Sequence, residues 1–382
     1  MGGLFRSIVL LGLFALPVCT EIALAGDGTG DTGAGQSLEA GFANPPAAAR
    51  PYIWWHWMNG NITREGITAD LEAMAKSGIA GASIFNVSCD IPEGPVRYMS
   101  PEWLDLFHHA ASEAKRLGIE LGFQNCAGWA TTGGPWVKPE DSMQQLVSTA
   151  TAVKGGGRIR QPLPRPESRL NYYHDIAVLA FPTPKDTEKR MYKWETKTLQ
   201  STRGAGLQPD LDRPVPAETV IDPEAVVDVT RHLAADGTLT WDAPPGDWTL
   251  LRLGNTPSGK LNEPSPKSGQ GLEVNKLNRR GVDVHWKHGI QPVLDRLGPL
   301  AGTTLTTVVV DSYEAGNHMW SEDLPAEFKK RRGYDITPYL PALMGRCVGS
   351  GPVTERFYWD YRRTVSEMVV ENYYGYIAEL HG

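Results

Sequence analysis

From residue 51 onward the chain alternates between a strand-like and a helix-like rhythm of apolar positions. Tyr52-Ile53-Trp54-Trp55-His56-Trp57-Met58 is a short apolar run of the kind a strand makes, and Asn59-Gly60-Asn61 supplies a turn. Thr63 can cap a helix whose Ile67, Leu71, Met74 and Ala75 share one face, with Gly78 as its stop. A second strand is predicted over 82–86. Ser100-Pro101 opens another helix, cap then proline, along which Trp103, Leu106, Phe107, Ala110, Ala114 and Leu117 recur at helical spacing as far as Gly118. A third strand follows over 119–123. Three strand–helix alternations of this length predict parallel βαβ units.

The pattern then changes. Residues 155–265 carry many prolines and few helical periods. Short strands are predicted over 175–181, 226–230, 238–241 and 248–253, with turns at Asp236-Gly237 and Pro244-Pro245-Gly246-Asp247. Gly155-Gly156-Gly157 reads as a linker. A helix over 276–297 leads back to the parallel pattern, and the uncharged run 306–310 reads as a fourth buried strand. Pro325 starts a short helix to Arg332, and a long helix over 354–380 carries Phe357, Tyr361, Val365, Met368, Val369 and Tyr373 on its apolar positions. About four strands suit a parallel barrel, where a closed one needs about eight. The predicted fold is therefore α/β: about the first half of a (β/α)8 barrel of the TIM type (51–154 and 266–382), interrupted by an all-β insertion (155–265).

The N-terminus follows neither rhythm. Arg6 precedes the apolar run Ile8 to Leu16, and Ala23-Leu24-Ala25 offers a cleavage site before Gly26. This pattern predicts a signal peptide over 1–25, too short to span a bilayer, followed by a flexible Gly/Ala/Pro-rich leader over 26–50. Leu16-Pro17-Val18-Cys19 approximates a lipoprotein box, but Val18 does not suit its small position, so a secreted or periplasmic protein is expected rather than a lipid-anchored one. After cleavage Cys89, Cys126 and Cys347 remain, an odd and widely spaced set without metal or disulfide-framework spacing. Asn61-Ile62-Thr63 and Asn86-Val87-Ser88 match the glycosylation sequon.

Charge and composition narrow the partners. A net charge of −7 argues against nucleic acid or an anionic membrane surface. Twelve Trp and thirteen Tyr suit either a large core or stacking on sugar rings, and the count does not choose between them. No phosphate-cradling glycine loop, dinucleotide fingerprint, nucleophile elbow or zinc spacing is present.

The candidate chemistry lies where the predicted parallel strands stop. The fourth strand ends on Asp311-Ser312-Tyr313-Glu314, two carboxylates three residues apart. Barrel and open-sheet enzymes place reacting groups at this edge; the plainer reading is a helix-capping Asp and a surface Glu. Glycoside cleavage commonly uses two carboxyl groups, one to protonate the leaving oxygen and one to activate water or attack the sugar. Glu314 is the candidate base, and Asp311 the candidate group for orienting sugar hydroxyls or supporting Glu314. The other strand ends supply His56, Trp57 and Asn59; Asn86; and Gln124, Asn125 and Trp129. His56 reads as a core imidazole or a sugar contact, and the tryptophans as core or platform. Alternation sets Trp55 and Trp57 on the face opposite His56. Gln124 and Asn125 suit bidentate bonding to hydroxyls or plain loop structure. Glu273 with Lys276 reads as a surface salt bridge or a substrate contact.

These motifs can be matched to a family. Trp54-Trp55-His56-Trp57-Met58-Asn59-Gly60-Asn61-Ile62-Thr63-Arg64-Glu65-Gly66-Ile67 resembles the opening strand and helix of glycoside hydrolase family 106, the α-L-rhamnosidases. Gly269-Gln270-Gly271-Leu272-Glu273-Val274-Asn275-Lys276-Leu277 is similar to that family's return from its β insertion. Asp311-Ser312-Tyr313-Glu314 and Arg332-Gly333-Tyr334-Asp335 are similar to its next rim segments. The resemblance spans roughly 45–380. It implies an inverting hydrolase acting on terminal α-L-rhamnose of a glycan or glycoside, with glutamates as acid and base and calcium near the site. Glu314 would be the water-activating base or an active-site ligand, and the partner acid is expected beyond Gly382. A retaining barrel glycosidase and a non-catalytic secreted sugar-binding fragment are the alternatives.

Overall fold

The computed structural model describes residues 38–201, 210–316 and 318–381. The expected signal peptide and the start of the expected leader lie outside these residues. The rest of that leader carries a short helix, α1 (Leu38–Ala43), which exposes Leu38 and Phe42. Along the chain follow β1 (Tyr52–Met58), α2 (Arg64–Lys76), β2 (Gly81–Val87), α3 (Pro101–Leu117) and β3 (Glu120–Gln124). The strands β4 (Gln144–Lys154), β5 (Gly157–Pro162), β6 (His174–Pro182), β7 (Val220–Ile221), β8 (Val227–Asp228), β9 (Thr238–Ala243) and β10 (Asp247–Pro257) come next, with the one-turn helix α4 (Trp194–Lys197) after β6. The helix expected over 276–297 forms as α5 (Arg279–His285) and α6 (Gln291–Leu297), joined by a π-helical stretch, Trp286–Ile290. Then come β11 (Leu305–Val309), α7 (Leu324–Arg332), α8 (Leu340–Leu343), β12 (Cys347–Val348), α9 (Gly351–Val369) and α10 (Tyr376–His381).

The chain divides into two compact units. The first comprises residues up to Thr131 with Glu263–Gly269 and Gly289–Glu314. Its sheet has the order β1-β2-β3-β11, every pairing parallel, so the fourth expected strand is β11. Local chemistry sets the helix ends as the sequence predicts. Thr63 Oγ1 accepts from the Gly66 N–H at 3.0 Å, and Ser100 Oγ from the Trp103 N–H at 3.2 Å. Gly118 ends α3 with φ near +70°, a conformation a side chain would strain. One face of the sheet buries Trp55, Trp57, Ile84 and Phe123, and Trp57 lies 5.8 Å from Trp103 and 5.9 Å from Phe107 of α3, centroid to centroid. The four parallel strands of this unit form an open sheet among the described residues, not a closed barrel.

The second unit comprises Thr132–Asn262, Gln270–His288 and Ala315–Gly382. Its main antiparallel sheet has the order β4-β10-β6-β8, and β5 pairs separately with β9. The β region thus starts at Gln144, some ten residues before the expected boundary. The Asp236-Gly237 turn folds Leu233 back antiparallel onto Leu239 as expected, with the Ala234 N–H donating to Thr238 O at 2.9 Å, whereas residues 155–157 and 244–247 pass the chain from the main sheet to the β5–β9 pair and back. Gly155 sits at this corner, where its N–H donates to Gly246 O at 2.8 Å and a Cβ would fall 1.9 Å from Pro244 O. The central strand β10 is buried on both faces, so its burial does not alternate. Val178, Ala180, Trp248 and Leu250 pack with Leu239 and Trp241 of β9. Leu179, Phe181, Leu251 and Leu253 pack with Phe328, Phe357, Tyr358 and Tyr361 of α7 and α9. Residues 315–382, expected to continue the barrel, instead cover this second face.

Phe357 is the central contact of that second layer. Phe357→Ala is expected to cost about 3–5 kcal/mol, measured as a fall in the denaturant midpoint without loss of cooperativity.

Candidate active site

The first unit gathers several of the predicted residues at the carboxyl ends of its parallel strands. Alternation along β1 turns Trp55 and Trp57 toward the helices and leaves half-buried His56 on the other face. The His56 ring centre lies 5.6 Å from Phe85 and 6.5 Å from Trp129. Gln124 ends β3, and its Nε2 donates to Ala130 O at 2.7 Å, folding the loop back on itself. The Gly128 N–H donates to Asn86 O at 2.7 Å and the Trp129 N–H to Glu263 O at 3.4 Å, which fixes the indole beside His56. Two buried polar atoms here, Gln124 Oε1 and Trp129 Nε1, find no hydrogen-bond partner among the described residues. Asn125 is buried, and its N–H donates to Val309 O at 3.0 Å, which extends the ladder to the end of β11.

Asp311 and Glu314 follow at once. No helix starts there, the next being α7, so the capping reading of Asp311 does not hold. Asp311 is part-buried and accepts from Ser312 Oγ at 3.4 Å; Glu314 is exposed. Burial, and then the negative charge of Glu314, raise the Asp311 pKa above its ordinary value, against the hydrogen bonds from Ser312.

Four predicted residues lie elsewhere. Trp57, 2 % exposed, belongs to the helix-facing core. Asn86 is on the same side, with its Oδ1 committed to the Trp103 indole N–H at 2.9 Å. Asn59 shapes a turn: its φ is +48°, and its Nδ2 donates to Ile91 O at 2.6 Å. Glu273 is in the second unit and is not a surface group. Glu273 and Lys276 are both 0 % exposed, with Nζ and Oε2 2.5 Å apart and Thr132 Oγ1 donating to the same oxygen at 2.5 Å. Lys276 also lies over the Tyr373 ring, 5.5 Å from its centre. Burial, and then the Lys276 charge, push the His318 imidazole well below the usual histidine range. Cys89, Cys126 and Cys347 form no disulfide.

One aromatic group on the His56 face was not selected from the sequence. Trp54 is 56 % exposed, stacks on Phe85 at 4.8 Å and lies 6.2 Å from His56. The alternation that isolates His56 from Trp55 and Trp57 places Trp54 with it.

Two carboxylates thus stand at the carboxyl edge of a parallel sheet whose other strand ends carry an imidazole, amides and aromatic planes. Residues 43–381 match the family described as alpha-L-rhamnosidase, and the chain belongs to that family, glycoside hydrolase family 106. A protein of Formosa agariphila named "Putative beta-glucuronidase" is 49 % identical over 343 residues, covering 90 % of this chain and 29 % of that protein. The structure of a rhamnosidase from Novosphingobium sp. PP1Y superposes with a TM-score of 0.79 at 29 % identity, covering 90 % of this chain and 46 % of that one. The chain therefore spans less than half the length of either relative.

The resemblance implies calcium near the site. Among the described residues no group of three or more His, Cys, Asp and Glu side chains converges. Asp311 and Glu314 by themselves fall short of the roughly six to eight oxygens calcium takes.

Two outcomes follow from this geometry. A carboxyl whose folded pKa is raised favours the folded state below its unfolded value of 3.8 and loses that contribution as pH climbs through the folded pKa. Asp311→Asn is therefore expected to raise the melting temperature at pH 7 relative to the parent, with the difference vanishing below pH 3.8. In the second unit, Lys276→Met strands a buried carboxylate and should cost about 3–5 kcal/mol, whereas Lys276→Met with Glu273→Gln recovers much of the loss. Urea unfolding of both variants distinguishes a pair from two independent residues.

Proposed function

We propose that this chain contributes the base side of an inverting glycosidase that removes terminal α-L-rhamnose. The observation that carries the reading is the Asp311–Glu314 pair at the end of β11 in a chain of the rhamnosidase family. Glu314 is exposed and takes a proton from the water that attacks the sugar. Asp311, part-buried, orients a ring hydroxyl. His56, Gln124 and Asn125 bond further hydroxyls, while Trp129 forms an apolar wall. In the whole protein the four parallel strands belong to a (β/α) barrel, and the Arg6 and Ile8–Leu16 pattern directs export.

A second reading, cleavage of a β-glucuronide, takes its support from the name of the 49 % identical Formosa relative. A uronic acid calls for a cation at its carboxylate. Asp311, Glu314, Gln124, Asn125 and Trp129 offer none, which favours the neutral sugar.

The test uses the protein that carries this chain, assayed on aryl α-L-rhamnoside and aryl β-D-glucuronide in parallel. The rhamnoside is expected to turn over with release of the inverted anomer, followed by NMR. Glu314→Gln is expected to lower kcat by about 10²–10⁴-fold at unchanged stability. Cleavage of the glucuronide alone, or full activity of Glu314→Gln, defeats the proposal.

A further inference from the structure

The second unit contains a cleft that the proposed reaction does not use. It is open, of about 200 Å³, and its lining includes Gln144, Tyr172, Asn255, Asn275, Asn278 and Arg280. Ligand pockets for drug-sized molecules begin near 300 Å³, so this one has room for a single ring.

The carboxamides of its floor are buried and held in fixed orientations. Gln144 Nε2 donates to Pro139 O at 2.9 Å and Ser142 O at 2.8 Å, and its Oε1 accepts from Asn255 Nδ2 at 2.8 Å. Asn275 Nδ2 donates to Trp320 O at 3.1 Å and Asn278 Nδ2 to Ser321 Oγ at 3.3 Å. Their Oδ1 atoms accept from the Leu277 N–H at 3.0 Å and the Gly281 N–H at 3.2 Å. A primary amide has two N–H donors, and these bonds engage one on each of the three asparagines. Donors oriented in advance bind hydroxyl groups without the entropy cost of ordering them.

The charges select among polyols. Arg280 is already neutralised by Asp141 at 3.0 Å and Glu322 at 3.5 Å, and also donates to Glu140 O at 2.8 Å. Asp175, on the same lining, is paired with Arg252 at 2.7 Å. Glu140, Asp175 and Glu322 outnumber Arg280 on the lining, and the remaining basic group there is the imidazole of His174, so the balance of charge disfavours an anion. Half-buried Tyr172 supplies the aromatic contact that sugar rings accept.

We propose that this cleft is a second carbohydrate site, which holds one neutral sugar unit and rejects uronic acids. The choice of sugar rests on the glycoside hydrolase reading; the neutrality rests on the paired charges alone. Bound glycan would be tethered to the β-rich unit independently of the strand-end carboxylates.

The experiment measures binding and not turnover, so it stands or falls separately from the proposed reaction. Methyl α-L-rhamnopyranoside and sodium D-glucuronate are titrated into the chain carrying Glu314→Gln, followed by calorimetry and saturation-transfer NMR. The rhamnoside is expected to bind and glucuronate to bind at least about tenfold more weakly. Tyr172→Ala, added to that background, should weaken the rhamnoside about tenfold, a change of about 1.4 kcal/mol. Arg280→Met, at a side chain 52 % exposed, serves as the second variant should Tyr172→Ala unfold. Failure of the rhamnoside to bind, equal affinity for glucuronate, or binding indifferent to both folded variants overturns the proposal.

Discussion

The indole of Trp57 wedged against Trp103 and Phe107 is the contact on which the strand-end site depends. It fastens β1 to α3, and the Trp103 N–H fastens α3 in turn to Asn86 at the end of β2. Successive side chains of a strand point to opposite faces. Once Trp55 and Trp57 are committed to the helices, His56 and Trp54 have only the other face to occupy. The same argument places Asn86, register partner of Trp57, with the helices. One packing decision thus sorts the strand-end residues into core and candidate site.

A comparable constraint organises the second unit. A sheet covered on one face would show alternating polarity, and β10 shows none because both of its faces are covered. The β5–β9 pair takes one face and α7 and α9 the other. Corners built on Gly155 and Gly246 allow the chain to change sheets within a few residues. Residues 315–382 are apolar on the positions that meet this sheet, and α7 and α9 bury those positions against it.

Much of the first unit was legible because its signals are local. Caps at Thr63 and Ser100, the left-handed stop at Gly118 and the helical spacing of Trp103, Leu106 and Phe107 each need only neighbouring residues. Helix position in space is not local. The helix expected over 354–380 was recognisable from its spacing, but spacing does not name the surface it covers. Partner choice also escaped for Asn86 and Asn59: both stand where strands end, and only the fold shows that Trp103 and Ile91 already take their amides. Glu273 and Lys276 illustrate the same limit. Two opposite charges three residues apart look like a solvated pair, and complete burial is decided by segments distant in sequence, among them the one bearing Thr132 and the helix-borne Tyr373.

The two carboxyl groups at the end of β11 occupy unlike surroundings, and that difference suits the separate tasks proposed for them. Asp311 loses part of its hydration and faces the charge of Glu314, both of which favour its protonated form. Glu314 keeps its access to water. Pairs of carboxyls whose environments diverge are how hydrolases obtain two functions from one functional group. A water-activating base has to meet water, and Glu314 does. A group that holds a sugar hydroxyl gains from a drier site, where each hydrogen bond is stronger, and Asp311 has one.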